Sequence, residues 1–99
     1  MITVLIAGIG GASLGTEIAK ALRLAGGYNI IGCDISPLAY GHYGNVCDRT
    51  LLVSREGYVG RLLKICRAQG VQAIIPGADQ TTGMISAASA DFADPGWRR

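Results

Sequence analysis

The segment Gly8-Ile9-Gly10-Gly11-Ala12-Ser13-Leu14-Gly15 constrains the chain more than any other, because of what stands on either side of it. Before it, Ile2-Thr3-Val4-Leu5-Ile6-Ala7 is a short apolar run rich in β-branched residues, the pattern of a strand covered on both faces. After it, Leu14, Ile18, Ala21, Leu22 and Ala25 recur at helical spacing, with Ser13 placed to cap the helix and Gly26-Gly27 placed to stop it. Tyr28-Asn29-Ile30-Ile31-Gly32-Cys33 then reads as a second strand. A strand, a glycine turn, a helix and a second strand make a βαβ unit, whose expected product is a parallel pair with a right-handed crossover.

Composition agrees with a single packed α/β unit. The 99 residues suit one domain, which at this size buries roughly 60–70% of the surface exposed by the unfolded chain. Hydrophobic residues make up 49% and charged residues 16%, which excludes a disordered chain and favours strands buried on both faces. The 15 glycines are about twice the usual share of roughly 7%, so tight turns or close backbone approaches are expected.

Charge and cysteine usage exclude several function classes. The net charge of +2 is small and the basic residues are spread from Lys20 to Arg99, so nucleic acid is not an expected partner. Cys33, Cys47 and Cys66 are odd in number and lack C-x-x-C spacing, and no signal-type segment precedes them. They read as reduced thiols of a cytoplasmic protein. No apolar run approaches 18 residues, so no membrane span is expected.

The remaining elements follow the same alternation. Asp34, Pro37, Tyr40, Gly41, His42, Tyr43 and Gly44 have no period and predict an irregular loop with a helical turn. Thr50-Leu51-Leu52-Val53-Ser54 predicts a short third strand, and Tyr58, Val59, Leu62, Leu63 and Cys66 give one apolar face to a helix ending at Gly70. Val71-Gln72-Ala73-Ile74-Ile75-Pro76 is the fourth strand, with its proline where pairing should stop. Met84, Ile85, Ala88 and Phe92 suggest a weaker last helix from Gln80, which Gly83 disfavours, and residues 93–99 form a tail. The domain is thus assigned to residues 1–92.

The glycine turn has a definite chemistry. Unpaired amides at the start of a helix, together with the helix dipole, favour an anion above the sheet. The match to G-x-G-x-x-G is incomplete because Ser13 holds the third glycine position, and no Gly-Lys-Ser/Thr follows, so the turn is not a P-loop. Asp34 stands at the end of the second strand, where a dinucleotide-binding domain places the carboxylate that takes a ribose hydroxyl. The same residues also suit a purely structural reading, in which the glycines allow close packing and Asp34 caps the next turn.

Four pieces of the chain, taken in order, carry a family resemblance. They are Val4 to Gly11, Ile31 to Gly41, Leu62 to Cys66, and Val71 to Gly77, of which Asp34-Ile35-Ser36-Pro37 and Ile74-Ile75-Pro76-Gly77 are the most specific. Together they resemble the N-terminal domain of ATP-grasp carboxylate ligases, the carbamoyl phosphate synthase large-subunit-like group, over residues 1 to about 80. The resemblance implies a Rossmann-like parallel sheet of about four strands in the order 3-2-1-4, with helices on both faces, truncated before the family's fifth strand. It implies a first domain that walls the substrate cleft, while ATP and magnesium are held by later domains that this chain lacks. Gly8, Gly10 and Gly11 match the substrate-side loop of such enzymes and Gly77 to Asp79 the second loop; no residue here matches a catalytic position.

In that strand order the topological switch point falls between the first and fourth strands. The expected ligand-binding set is therefore Gly8, Gly10, Gly11, Ala12, Ser13, Asp34, Gly77 and Asp79, with no catalytic residue, no metal and no cofactor held by this chain alone. The expected function is that of a non-catalytic substrate-side domain, binding a small anionic molecule or nucleotide, or ATP-grasp domains supplied in trans. One rival is a stand-alone NAD- or nucleotide-binding protein, and another is a structural dimerisation module. An apolar fourth strand at the sheet edge also predicts a homodimer, formed through that strand or the last helix.

Other residues carry less. His42 lies between tyrosines in the irregular loop and is expected as a surface histidine, and the cysteines and His42 lack zinc spacing. Arg61, Lys64 and Arg67 recur every three residues opposite the helix's apolar face, as a solvated stripe or a surface for an acidic partner. Trp97 with Arg98 and Arg99 is a loose tail or a docking element.

Overall fold

The computed structural model describes residues 1–10, 14–39, 42 and 46–77. They form β1 (Ile2–Ala7), α1 (Leu14–Ala25), β2 (Tyr28–Asp34), β3 (Arg49–Leu52), α2 (Tyr58–Gln69) and β4 (Ala73–Pro76). The four strands make one sheet in the order β3-β2-β1-β4, and all three pairings are parallel. This is the Rossmann-like sheet order that the family resemblance implies, built on the α/β alternation read from the sequence. The last helix predicted from Gln80 and the tail lie outside the described residues.

Strand alternation distributes the core between two layers. Leu5 and Ala7 of β1 and Ile31 and Cys33 of β2 face α2, where they pack with Tyr58, Leu62 and Cys66. Val4 and Ile6 of β1 and Ile30 of β2 face the other way, with Ile9, Ala19 of α1, Ala39 and Val46. β1 is therefore enclosed by a strand on either side and by a side-chain layer on either face. Leu5, Ile6 and Ala7 are fully buried, as their uninterrupted apolar run requires.

Each helix is stopped by glycine in the left-handed region, where a side chain would strain the backbone. Gly26 and Gly27 have φ of 77° and 82° at the end of α1. At the end of α2, Gly70 (φ 64°) donates its N–H to the Cys66 carbonyl, and Val71 donates to that same oxygen at 2.9 Å. Val71 thus belongs to the helix cap. Gln72 then bonds Thr3 through its backbone N–H (2.8 Å) and accepts the Thr3 N–H on its side chain (3.1 Å), so β4 begins at Ala73, two residues later than the apolar run alone indicates.

Candidate functional site

Gly8 after β1 and Gly77 after β4 meet at the carboxyl ends of these neighbouring strands. Gly8 leaves β1 with φ of 110° and donates its N–H to the Cys33 carbonyl at 2.9 Å, which prolongs the β1–β2 ladder by one bond. Gly77 leaves β4 and donates to the Ala7 carbonyl at 2.7 Å. Gly15, in the first turn of α1, donates to the Gly77 carbonyl at 2.9 Å. One strand end, one helix start and the next strand end are thereby bonded together at the switch point between β1 and β4.

Backbone contact here leaves no room for side chains. A Cβ at Gly15 would run into the Gly8 carbonyl oxygen and lie 3.1 Å from the Gly77 Cα, and a Cβ at Gly77 would meet the same oxygen and lie 2.6 Å from the Gly15 Cα. Gly15 therefore has the close-packing role that the third glycine has in a dinucleotide-binding turn, displaced two residues toward the helix. That role is not visible from the G-x-G-x-x-G template, which stops at Ser13. The signal that could have found it is the pair Gly8 and Gly15 bracketing the turn, together with Gly77 after a strand-ending proline.

Asp34 holds the turn from the β2 side. Its Oδ2 accepts the Ile9 N–H at 2.9 Å and its Oδ1 accepts the Ser36 N–H at 2.9 Å. The second bond closes an Asx turn that directs the chain away from β2. A Cβ at Gly10 would stand 3.8 Å from Asp34 Oδ2, an ordinary contact, so Gly10 keeps open the space over the carboxylate. Each carboxylate oxygen retains acceptor capacity beyond the one backbone bond it makes.

The structure brings Gly8, Gly10, Asp34 and Gly77 together at this end of the sheet. Gly11, Ala12, Ser13 and Asp79 lie outside the described residues. His42, beyond β2, has Nε2 3.1 Å from the carbonyl of Ser36. Among the described residues no cluster of three or more His, Cys, Asp or Glu side chains is present.

Below the turn, the surroundings of Cys33 and Tyr58 disfavour negative charge. Burial pushes the Cys33 thiol up to about 12, with the neighbouring Asp34 carboxylate adding to the effect. Burial, reinforced by Cys33 and Asp34, likewise raises Tyr58. The Tyr58 hydroxyl faces the Cys33 thiol yet lacks a hydrogen bond of ordinary geometry among the described residues. Both shifts favour the protonated groups at neutral pH and disfavour Cys33 as a thiolate nucleophile.

The family described as PylC-like, N-terminal domain, matches residues 4–98. No curated protein matches the sequence. The chain belongs to the PylC-like N-terminal domain family, a pre-ATP-grasp domain of the ATP-grasp-associated group. No helix among the described residues is long and apolar enough to cross a membrane.

Proposed function

We propose that the chain is the substrate-side domain of an ATP-grasp ligase, non-catalytic by itself, and that the turn from Gly8 to Ser13 and the loop from Gly77 to Asp79 form one wall of a cleft for a small anionic ligand. Family membership supports the ligase context. The observation that carries the site is the bonding of Gly15 to Gly77 and of Gly77 to Ala7, which joins the two loops where α/β sheets of this order bind ligands. The narrower placement with carbamoyl phosphate synthase-like enzymes rests on the Asp34 to Pro37 and Ile74 to Gly77 segments and belongs to this proposal.

In this reading ATP and magnesium are held by other domains, in the same protein or in trans. Asp34 acts chiefly by orienting Ile9 and Gly10, and its remaining lone pairs are available to a ligand's hydroxyl or amide groups. A helix start contributes about 0.3–1 kcal/mol to an anion and each charged hydrogen bond about 1.5–3, so the wall alone supports binding near millimolar.

Thermal shift tests the reading. A ligand at ten times a millimolar dissociation constant adds about 1.4 kcal/mol, roughly 6–11 °C for a domain of this size. ATP or small carboxylates are expected to raise the Tm, and Gly10→Val, which fills the space over Asp34, is expected to remove the shift. A shift with NAD alone would transfer the site to the dinucleotide reading, which Asp34 at the end of β2 favours. No shift with any of them at tens of millimolar would leave a structural module. For that module the open outer edge of β4, which pairs only with β1 among the described residues, favours a homodimer, and light scattering tests it.

A further inference from the structure

β3 pairs with β2 alone, so among the described residues its outer edge has no neighbour. A strand so placed presents a row of backbone N–H and C=O groups with which a further strand can pair. Beside it lies a shallow groove of about 270 Å³ lined by Leu51, Leu52, Val53 and Ile65 together with Arg61 and Lys64. That volume is below the roughly 300–1,000 Å³ of small-molecule pockets and suits individual side chains. Leu52 is 59% exposed, an aliphatic group left in water at the end of the edge strand.

The groove's charge is one-sided. α2 contributes Arg61 and Lys64 to it and contains no acidic residue. The ion pairs among the described residues are Lys20–Glu17 and Arg23–Asp48, so neither Arg61 nor Lys64 is paired with a carboxylate. Arg61 turns its Nε to the backbone carbonyl of Glu56 at 3.0 Å. Two cations beside apolar side chains and an open strand edge ask for an occupant that brings backbone, aliphatic carbon and negative charge together.

We propose that this groove docks an extended segment of a partner protein, added as a strand to the outer edge of β3, whose groove-facing positions carry an aliphatic and an acidic side chain. Every second residue of an added strand faces the same side. The aliphatic side chain enters between Leu51, Val53 and Ile65, and the acidic one reaches Arg61 and Lys64. Main-chain hydrogen bonds along the edge supply affinity and the side-chain pattern supplies selectivity.

The experiment uses the full chain, isotope-labelled for NMR, and a capped hexapeptide reading Thr-Val-Thr-Glu-Thr-Glu. Amide shifts concentrated in Arg49 to Ser54 and at Arg61 to Ile65 are expected. Replacing both glutamates of the probe by lysine should abolish them, and one of the two alternately N-methylated forms of the peptide should fail to bind. Arg61→Ala with Lys64→Ala, both exposed positions, should weaken binding roughly 2- to 30-fold. The proposal is overturned by no shift at several millimolar peptide, by equal binding of the lysine peptide or of both N-methylated forms, by shifts centred on β4, or by a short oligonucleotide that displaces the peptide at lower concentration.

Discussion

Gly15 donates its backbone N–H to the carbonyl of Gly77 across 2.9 Å, with the Gly8 carbonyl oxygen wedged where either residue's Cβ would stand. The turn after β1 and the end of β4, far apart in sequence, thus depend on the absence of two side chains. Gly15→Ala and Gly77→Ala should each destabilise the fold by about 1–3 kcal/mol, the usual cost of overpacking, and lower the Tm by roughly 4–8 °C per kcal/mol. Gly60→Ala is the control. Gly60 lies inside α2 with nothing within 4 Å of a Cβ, so that change should stabilise by about 0.5–1 kcal/mol. Thermal melts of the three variants decide it, and a Gly15→Ala protein melting with wild type would show that the contact relaxes freely.

Asp34 is expected to matter for stability whatever it binds. Asp34→Ala removes the acceptors of Ile9 and Ser36 and should cost about 1.5–3 kcal/mol, most of it at the part-buried Ile9 amide. Amide exchange at Ile9 should accelerate in step. If the variant unfolds at the wild-type denaturant midpoint, the carboxylate does not hold the turn.

A similar bond joins the start of β3 to β2. Asp48 accepts the Ile30 N–H on Oδ2 at 2.8 Å and the Arg23 guanidinium on Oδ1 at 3.3 Å. The first bond is part-buried, and the second joins two side chains about half exposed. Asp48→Ala should therefore cost about 1.5–3 kcal/mol, and Arg23→Ala no more than about 1. Equal losses in urea titrations of the two variants would contradict this ranking.

The thiols give the fold an alkaline limit. Cys33 is raised from 9.0 to about 12, mainly by burial, and Cys66 to about 11 for the same reason. A thiol that ionises less readily when folded stabilises the native state fully below its unfolded value, and that stabilisation disappears as pH climbs through the folded one. Stability should hold to about pH 8 and fall between about pH 9 and 12. Cys33→Ala should be less stable at neutral pH, through its cavity, yet lose less on going from pH 9 to 11. Parallel urea midpoints for the two proteins across that range would remove Cys33 as the cause.

Much of this could be read from residue order because local and global signals agree. The apolar period of α1 and α2 and the glycines that stop them place both helices where the structure has them, and the β-branched run from Ile2 to Ala7 marks the central strand. β4 starts late because Val71 satisfies a helix carbonyl and Gln72 bonds Thr3, tertiary demands that hydrophobicity does not reveal. Gly8, Gly10, Asp34 and Gly77 were legible as a group because strand order places them together. The part played by Gly15 was not, since it depends on how closely α1 approaches Gly8 and Gly77. Nor was the groove beside β3, where Arg61 and Lys64 form a stripe in sequence and gain meaning only next to an open strand edge.

The bond from Gly77 to Ala7 has a consequence for the order in which the molecule comes together. The turn is encoded near the beginning of the described chain, but its walls are fastened by residues that close the fourth strand, and closing so long a loop is slow relative to forming a helix or a βαβ unit. The junction of Gly8, Gly15 and Gly77 is therefore fastened only once β4 has joined β1, whatever the order in which β2 and β3 pair.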